Sequence, residues 1–146
     1  MDQRHIGYAV QSLNRCIGQA LNNIPAMREN ENLTGIQVWI LNFLSRRGEE
    51  DTFQRDVEAE FHIRRSTATQ LLKQMERGGL IRRVPVAYDA RLKKIEMTDY
   101  AAEVKKQLEE QIRRTDSRLT EGFTAEELAQ FFSYVERFEQ NLAKGV

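Results

Sequence analysis

Apolar residues recur every three or four positions along most of this chain, which is the spacing of amphipathic helices. The first predicted helix runs from about Arg4 to Asn23 and should end or kink at Pro25, since proline disfavours a helical residue ahead of it. The polar stretch 28–32 is predicted to be a loop. The apolar residues of the first helix advance in steps of four and three, which suits packing against a partner helix. They are Ile6, Val10, Leu13, Ile17, either Ala20 or Leu21, and Ile24.

Three shorter helices are predicted next. The second helix begins after the capping residue Thr34 and ends before Gly48. A third helix covers residues 52–61 and a fourth covers 64–79, joined by a tight turn at His62-Ile63, which is the skeleton of a helix-turn-helix. The side chains that this pattern places in the core are Ile36, Trp39 or Ile40, Phe43, Leu44, Phe53, Val57, Phe61, Ala68, Leu71, Leu72 and Met75.

A β-hairpin is predicted directly after the fourth helix, because residues 80–81 and 94–97 alternate as strands do. Pro85 fits a strand edge or the start of the loop. Residues 86–92 are expected to form the tip, with Asp89-Ala90-Arg91 as its polar centre. A hairpin in this position is a wing, and an arginine near its tip suits a DNA minor groove, whose negative potential attracts guanidinium groups.

Two long amphipathic helices are predicted to close the chain. One runs from about Asp99 to Thr120, and the last follows Gly122 and a capping box formed by Thr124 and Glu127. The last helix is expected to bury Leu128, Phe131 or Phe132, Val135, Phe138 and Leu142. Because a single small winged-helix unit could not cover the apolar faces of the first and last two helices, pairing of two copies of the chain is the economical solution.

The chain has no net charge, yet its charge is segregated along the sequence. Between residues 62 and 94, nine basic residues stand against two acids, whereas both flanking regions are acidic. Such a cluster alone is often an ordinary solvated face, but it also matches a polyanion-binding surface. The nine basic residues are Arg64, Arg65, Lys73, Arg77, Arg82, Arg83, Arg91, Lys93 and Lys94.

One face of the fourth helix favours DNA over an undirected polar surface. Residues at steps of three and four fall on one side of a helix, and those opposite the predicted core lack any acidic side chain. Hydroxyl and amide groups near the helix start suit base edges in a major groove, while lysine and arginine suit phosphates. This polar stripe consists of Ser66, Thr69, Gln70, Lys73 and Arg77.

The remaining chemistry argues against other classes of protein. With 146 residues the chain has room for one domain, and no nucleophile–base set, phosphate loop or metal-ligand spacing appears, so neither an enzyme nor a metal or other cofactor is expected. His5 and His62 lack clustered ligand neighbours, and the lone Cys16 is interpreted as a small packing residue. The absence of a long apolar run or a signal-like N-terminus favours a cytoplasmic protein with no membrane contact.

The segment from Phe53 to Thr98 resembles the helix-turn-helix and wing of the MarR family of bacterial transcription regulators. The resemblance is carried by Ser66-Thr67-Ala68-Thr69, by Glu76 with Gly79-Leu80-Ile81, and by the wing signature Asp89-Ala90-Arg91 followed by Met97-Thr98. Met97 stands where the family commonly has leucine, and Arg64 where many relatives have a serine or similar cap. Length and helix order extend the resemblance over essentially the whole chain.

The resemblance implies a mainly α fold with a small β-hairpin wing. Residues 34–98 would be the winged helix-turn-helix, and 1–33 and 99–146 would be dimerisation helices within a single domain, 1–146. A homodimer would then bind a palindromic operator in double-stranded DNA as a regulator, more often a repressor, released by a small-molecule effector. The implied DNA-binding residues are Arg64, Arg65, Ser66, Thr67, Thr69, Gln70, Lys73, Arg77, Asp89, Arg91 and Lys93. The alternative is a winged-helix module that docks an acidic protein partner without reading DNA.

Overall fold

A computed structural model describes residues 4–23 and 33–145 as six helices and one two-stranded antiparallel sheet. The predicted Ile24, Pro25 and loop 28–32 lie outside the described residues. Clustering of contacts divides the chain into two compact units, Met1–Ile112 and Arg113–Val146. The elements are α1 (Ile6–Asn22), α2 (Gly35–Arg47), α3 (Gln54–Phe61), α4 (Arg65–Arg77), β1 (Ile81–Val86), β2 (Asp89–Met97), α5 (Asp99–Leu119) and α6 (Ala125–Ala143).

The predicted mainly α fold with a hairpin wing is confirmed, and the helix ends fall near the predicted positions. Thr34 is the N-cap of α2, where its backbone N–H donates to Gln37 Oε1 at 3.1 Å. Gly48 follows α2 with a φ of 61°, a conformation that glycine adopts without steric cost. No helix in the described part of the chain is long and apolar enough to cross a membrane.

The core of the first unit lies where α2, α4, the hairpin and the first half of α5 meet. Its fully enclosed side chains are spaced at helical intervals within each helix, as the hydrophobic pattern predicts. Ile40 is buried and Trp39 is 38% exposed, which decides between the two residues left open by the pattern. The largest fully buried apolar side chains are Ile40, Leu41, Leu72, Met75, Ile81, Val57 and Leu108.

Two turns hold α4 between α3 and the hairpin. His62, between α3 and α4, has a left-handed backbone (φ 52°, ψ 44°), and the next N–H, of Ile63, donates to Glu58 O at 3.1 Å. After α4 the chain turns at Gly79, with φ 75°. The Thr98 hydroxyl at the start of α5 donates to Gly79 O and accepts from Ala101 N, so one side chain connects this turn to α5.

The wing differs from the sequence prediction. Residues 86–92 do not form one long tip, because β1 continues to Val86 and β2 begins at Asp89, leaving a turn at residues 87–88. The register passes from Pro85↔Lys93 to Val86↔Asp89, so residues 90–92 bulge from the ladder. Proline has no N–H to donate to a neighbouring strand, which explains why the regular ladder is interrupted there.

The apolar face of α6 is not buried within the single chain, and its burial between two copies stays a prediction. Leu128 and Val135 are half-buried, while Phe132 and Leu142 are 63% and 83% exposed. The start of α1 is similar, with Val10 59% exposed. The amphipathic spacing is real, but the described chain supplies no cover for these faces. Cys16 on α1 is also exposed in the single chain, so its interpretation as a small packing residue at the seam stays a prediction.

Replacing Gly79 with alanine should destabilise the protein, whereas the same change at the neighbouring Gly78 should not. At Gly79 the positive φ costs an L-residue about 1–2 kcal/mol, even though an added Cβ would lie 4.0 Å from its nearest neighbour, in the Tyr100 ring. Gly78 has a φ of −77°, which alanine adopts freely. Urea unfolding of the two variants measures the difference, and equal stabilities would contradict this account of the turn.

Candidate nucleic-acid interface

The side chains of α4 divide sharply between a buried and an exposed face. Ala68, Leu72 and Met75 have no exposed surface. Opposite them, the whole polar stripe reaches the surface: Thr69 is half-buried, and Ser66, Gln70, Lys73 and Arg77 are exposed. Thr67, Arg64 and Arg65 are exposed at the start of the helix. The structure therefore brings the predicted residues of the fourth helix together on one accessible surface.

The start of α4 is an electropositive helix end. Arg64 is its N-cap, in an extended backbone conformation, and its side chain makes no capping hydrogen bond. The first N–H groups of a helix lack partners within the helix, and the helix dipole places a partial positive charge there. Instead of a capping side chain, this helix start presents two exposed guanidinium groups, on Arg64 and Arg65. Phosphate oxygens are the natural partners of such an end.

The nine basic residues separate into two groups. Four of them form ion pairs within the chain: Arg82 with Glu96 at 3.4 Å, Arg83 with Glu76 at 3.9 Å, Lys94 with Asp51 at 3.5 Å, and Arg91 with Asp89 at 3.6 Å. Within residues 4–23 and 33–145, the other five form no ion pair. Those five are Arg64, Arg65, Lys73, Arg77 and Lys93, and all five are among the predicted DNA-binding residues.

Lys94 illustrates why a charge count from sequence overstates the basic surface. Asp51 and Glu96 both lie within 3.5 Å of its Nζ atom. The nearby Asp51 carboxylate, followed by the hydrogen bond to Glu96, raises the pKa of Lys94 above its ordinary value. Lys94 thus stays charged, but its charge is balanced by neighbouring carboxylates rather than offered to a polyanion.

The wing presents Arg91 to solvent while Asp89 organises the backbone around it. Asp89 Oδ1 accepts a hydrogen bond from Arg91 N at 2.9 Å and also lies 3.6 Å from Arg91 Nε. The Arg91 side chain is nevertheless 95% exposed. Its pairing with Asp89 therefore orients the arginine without covering it. Tyr88, at the turn, is 71% exposed beside these residues, and the sequence reasoning assigned it no role.

Gln54 is a second residue that sequence reasoning missed. It is the first residue of α3, and its side-chain amide donates to Thr69 Oγ1 at 2.8 Å and to Arg65 O at 3.3 Å. It thus connects α3 to two predicted DNA-binding residues of α4. The fifteen-residue separation of Gln54 and Thr69 carries no periodic signal, so only the helix-turn-helix geometry reveals the contact.

The described residues contain no group of three or more histidine, cysteine or carboxylate side chains that could hold a metal ion. A cleft of about 480 Å³ in the first unit lies between the end of α2, residues 48–52 and β2. Its lining is rich in carboxylates, including Glu49 and Glu50, and Lys94 is the one basic residue among the described residues that line it. This chemistry does not resemble a polyanion site.

The fold and this surface define a winged helix-turn-helix protein. Known proteins that are similar in sequence and structure support this assignment. Residues 31–92 match the model of the MarR family. The MarR transcription regulator from Oenococcus oeni PSU-1 is 27% identical, with a TM-score of 0.78 over 93% of this chain and 99% of that one. The PcaV transcriptional regulator from Streptomyces coelicolor, solved with its natural ligand, is 26% identical, with a TM-score of 0.80 over 96% of each chain.

MepR from S. aureus, solved as a DNA complex, shares the fold with a TM-score of 0.83 over 97% of this chain and 99% of that one, at 19% identity. Together with the family match, these similarities confirm the resemblance inferred from the helix and wing motifs. Over nearly its whole length the chain has the fold of MarR transcription regulators, and its residues 31–92 match the model of that family. Members of this family are regulators rather than enzymes. The roles of the individual residues of α4 and the wing stay predictions.

Removing an unpaired cation of α4 should lower the salt dependence of DNA binding more than removing a paired cation of the hairpin. Each phosphate contact contributes about 0.9 to the log–log slope of affinity against salt. Lys73→Ala should therefore reduce the slope by about 0.9. Arg82→Ala removes the same charge from an exposed side chain already paired with Glu96 and should leave the slope nearly unchanged.

Fluorescence anisotropy of a labelled duplex over a series of salt concentrations measures both slopes. If the two variants reduced the slope equally, net charge rather than contact geometry would govern binding.

Proposed function

We propose that this protein is a sequence-specific repressor that binds a palindromic operator as a homodimer and is released by a small-molecule effector. The proposal places the protein in the cytoplasm, where it has access to its DNA target. The observation that carries it is the surface of α4, where cations that pair with no carboxylate of the described chain surround hydroxyl and amide side chains on one acid-free stripe. Such a surface combines groups for phosphates with groups for base edges.

In this proposal the residues divide by chemistry. Ser66, Thr69 and Gln70 contact base edges in the major groove, with Thr67 at the adjacent phosphates. Arg91 enters the minor groove while Asp89 holds its orientation. The remaining basic side chains hold phosphates and set the position of α4 on the duplex; they are Arg64, Arg65, Lys73, Arg77 and Lys93. The MepR–DNA complex, which has this fold, supports the general mode of binding.

The homodimer is supported by apolar surface that the described chain leaves exposed. On α1, Ile6 and Val10 are 57% and 59% exposed, and on α6, Phe132 and Leu142 are 63% and 83% exposed. Contiguous apolar surface on a soluble protein commonly marks an interaction site. Two copies related by a two-fold axis would present two α4 helices to half-sites about one helical turn apart, roughly 34–36 Å.

A small-molecule effector is supported by PcaV, a regulator of the same fold that was solved with its natural ligand. For a ligand to release DNA, it must bind the DNA-incompetent arrangement of the dimer more tightly than the DNA-bound one. We propose that an effector acts in this way on the present protein, and that its binding changes the separation of the two α4 helices.

Selection from a library of randomised duplexes should enrich a two-fold palindrome, and footprinting should show its two halves protected. Arg91→Ala should then weaken binding across operator variants, because it removes a groove contact made by an almost fully accessible guanidinium. Gln70→Ala should instead change which bases are tolerated at one position in each half-site. Equal, weak binding to all duplexes with no protected palindrome would contradict specific reading and favour a protein-docking module.

Introducing a charge on the exposed seam of α1 should separate the dimer. Val10→Glu places a carboxylate in apolar surface that the proposal buries between copies, and a buried unpaired charge is strongly unfavourable. Gln11→Glu puts the same charge on the adjacent, polar position and serves as the control. Sedimentation equilibrium should give a single-chain mass of 17.1 kDa for the first variant and twice that mass for the control. Equal masses for both variants would exclude this seam from the interface.

A further inference from the structure

The contact between Gln54 and α4 leaves the Thr69 hydroxyl with a defined direction. Gln54 Nε2 lies 2.8 Å from Thr69 Oγ1 and 3.3 Å from Arg65 O. A backbone carbonyl only accepts hydrogen bonds, so the contact with Arg65 assigns the nitrogen end of the Gln54 amide to this side. The two hydrogens of that nitrogen are therefore directed to Arg65 O and Thr69 Oγ1. Thr69 acts as the acceptor in its contact with Gln54.

The hydrogen of the Thr69 hydroxyl is left for another acceptor. A threonine within a helix often donates to the carbonyl one turn earlier. For Thr69 that carbonyl belongs to Arg65, and within α4 it already accepts the backbone N–H of Thr69. The Gln54 amide donates a second hydrogen bond to the same oxygen, which then has both lone pairs occupied. Because this usual acceptor is saturated and the hydroxyl donates to no other group of the described chain, the Thr69 hydrogen is left for a partner outside the chain.

We infer that Gln54 is a positioning residue that fixes the Thr69 hydroxyl as a hydrogen-bond donor toward DNA and thereby sets the base preference at the position that Thr69 reads. This inference rests on the proposed function. In the major groove, guanine presents the acceptors N7 and O6, adenine presents N7 and thymine presents O4, whereas cytosine presents the amino group N4 as a donor. Thr69 held in this way donates its hydrogen to the first three bases, whereas cytosine N4 can reach only the one lone pair that Gln54 leaves on Oγ1, so cytosine is the least favoured of the four.

The sharpest test reverses the polarity of the contact. Gln54→Glu keeps the size of the side chain but replaces the donating amide with a carboxylate that only accepts. The Thr69 hydroxyl then donates inward to the introduced carboxylate and presents its lone pairs to DNA, so the preferred partner becomes an amino group, on cytosine N4 or adenine N6. Selection from a randomised duplex library, with bases ranked within each variant, should show this reversal at one position per half-site.

A neutral variant tests the same contact without adding charge. Gln54→Met removes both hydrogen bonds and should lower discrimination against cytosine at that position by roughly fivefold, the ratio expected for one hydrogen bond of average strength. In a Thr69→Val background, which has no hydroxyl, Gln54→Met should cause no further change at that position. Thr69→Ser keeps the hydroxyl and should retain the preference of the native protein.

Gln74→Glu is the matched control for charge, because it makes the same chemical change at an exposed position of α4 outside the polar stripe. It should weaken binding to all duplexes without altering the base ranking. Circular dichroism checks that every variant keeps its helices, and if Gln54→Met failed to fold, the Gln54→Glu and Thr69→Ser rankings would still decide the question.

The outcomes separate the two levels of the hypothesis. A native protein without any base preference would overturn the proposed function, and this inference with it. A native protein that selects a palindrome, but whose ranking at every position survives both Gln54 variants, would overturn the inference alone. A loss spread evenly over all positions would also overturn it, since a merely structural contact weakens binding without choosing a base.

Discussion

The rotation of α4 about its own axis is fixed by three side chains with no exposed surface: Ala68, Leu72 and Met75. The proposed contacts of α4 with DNA depend on this burial, since a helical step of one residue turns a side chain by about 100°. Rotating α4 about its axis would expose Leu72 and Met75, at a free-energy cost of about 1.5–3 kcal/mol for each side chain. The polar stripe is held at the surface because its opposite face is held in the core.

Carboxylates then determine which cations are free. Three cations of the hairpin are neutralised in this way: Arg82 by Glu96, Arg83 by Glu76 and Lys94 by Asp51. The Arg82–Glu96 pair is exposed and the other two pairs are partly exposed, so they add little stability. Their main consequence is spatial, because among the nine basic residues of the segment 62–94 they leave uncompensated charge at the start and exposed face of α4 and at Lys93. A chain with no net charge can therefore carry a concentrated basic surface without becoming basic elsewhere.

Much of this organisation could be predicted from the sequence. Helical periodicity, together with Thr34, Gly48 and Gly79, placed the helices to within a few residues. The acid-free stripe of α4 was visible because a helix repeats every 3.6 residues whatever surrounds it. The family motifs then connected this stripe to DNA.

Three features depended on tertiary structure and could not be predicted in this way. The predicted tip of the wing, residues 86–92, was too long, because the register change beside Pro85 depends on pairing between two strands. The apolar face of α6 is exposed in the single chain, because periodicity shows that an apolar face needs cover but not which chain provides it. The Gln54–Thr69 hydrogen bond joins two helices, and no spacing rule connects two polar residues on different elements.

The interrupted ladder at Pro85 divides the hairpin into a fixed base and a variable end. At the base, Ile81 and Ile95 are buried, and Ile95 N donates to Thr52 O at 2.7 Å. Beyond Pro85, the paired residue Val86 is buried, while most of its neighbours face solvent. Insertions or deletions in this outer part leave the pairing of the base intact. The reach of the wing can therefore change in evolution separately from the packing of α4.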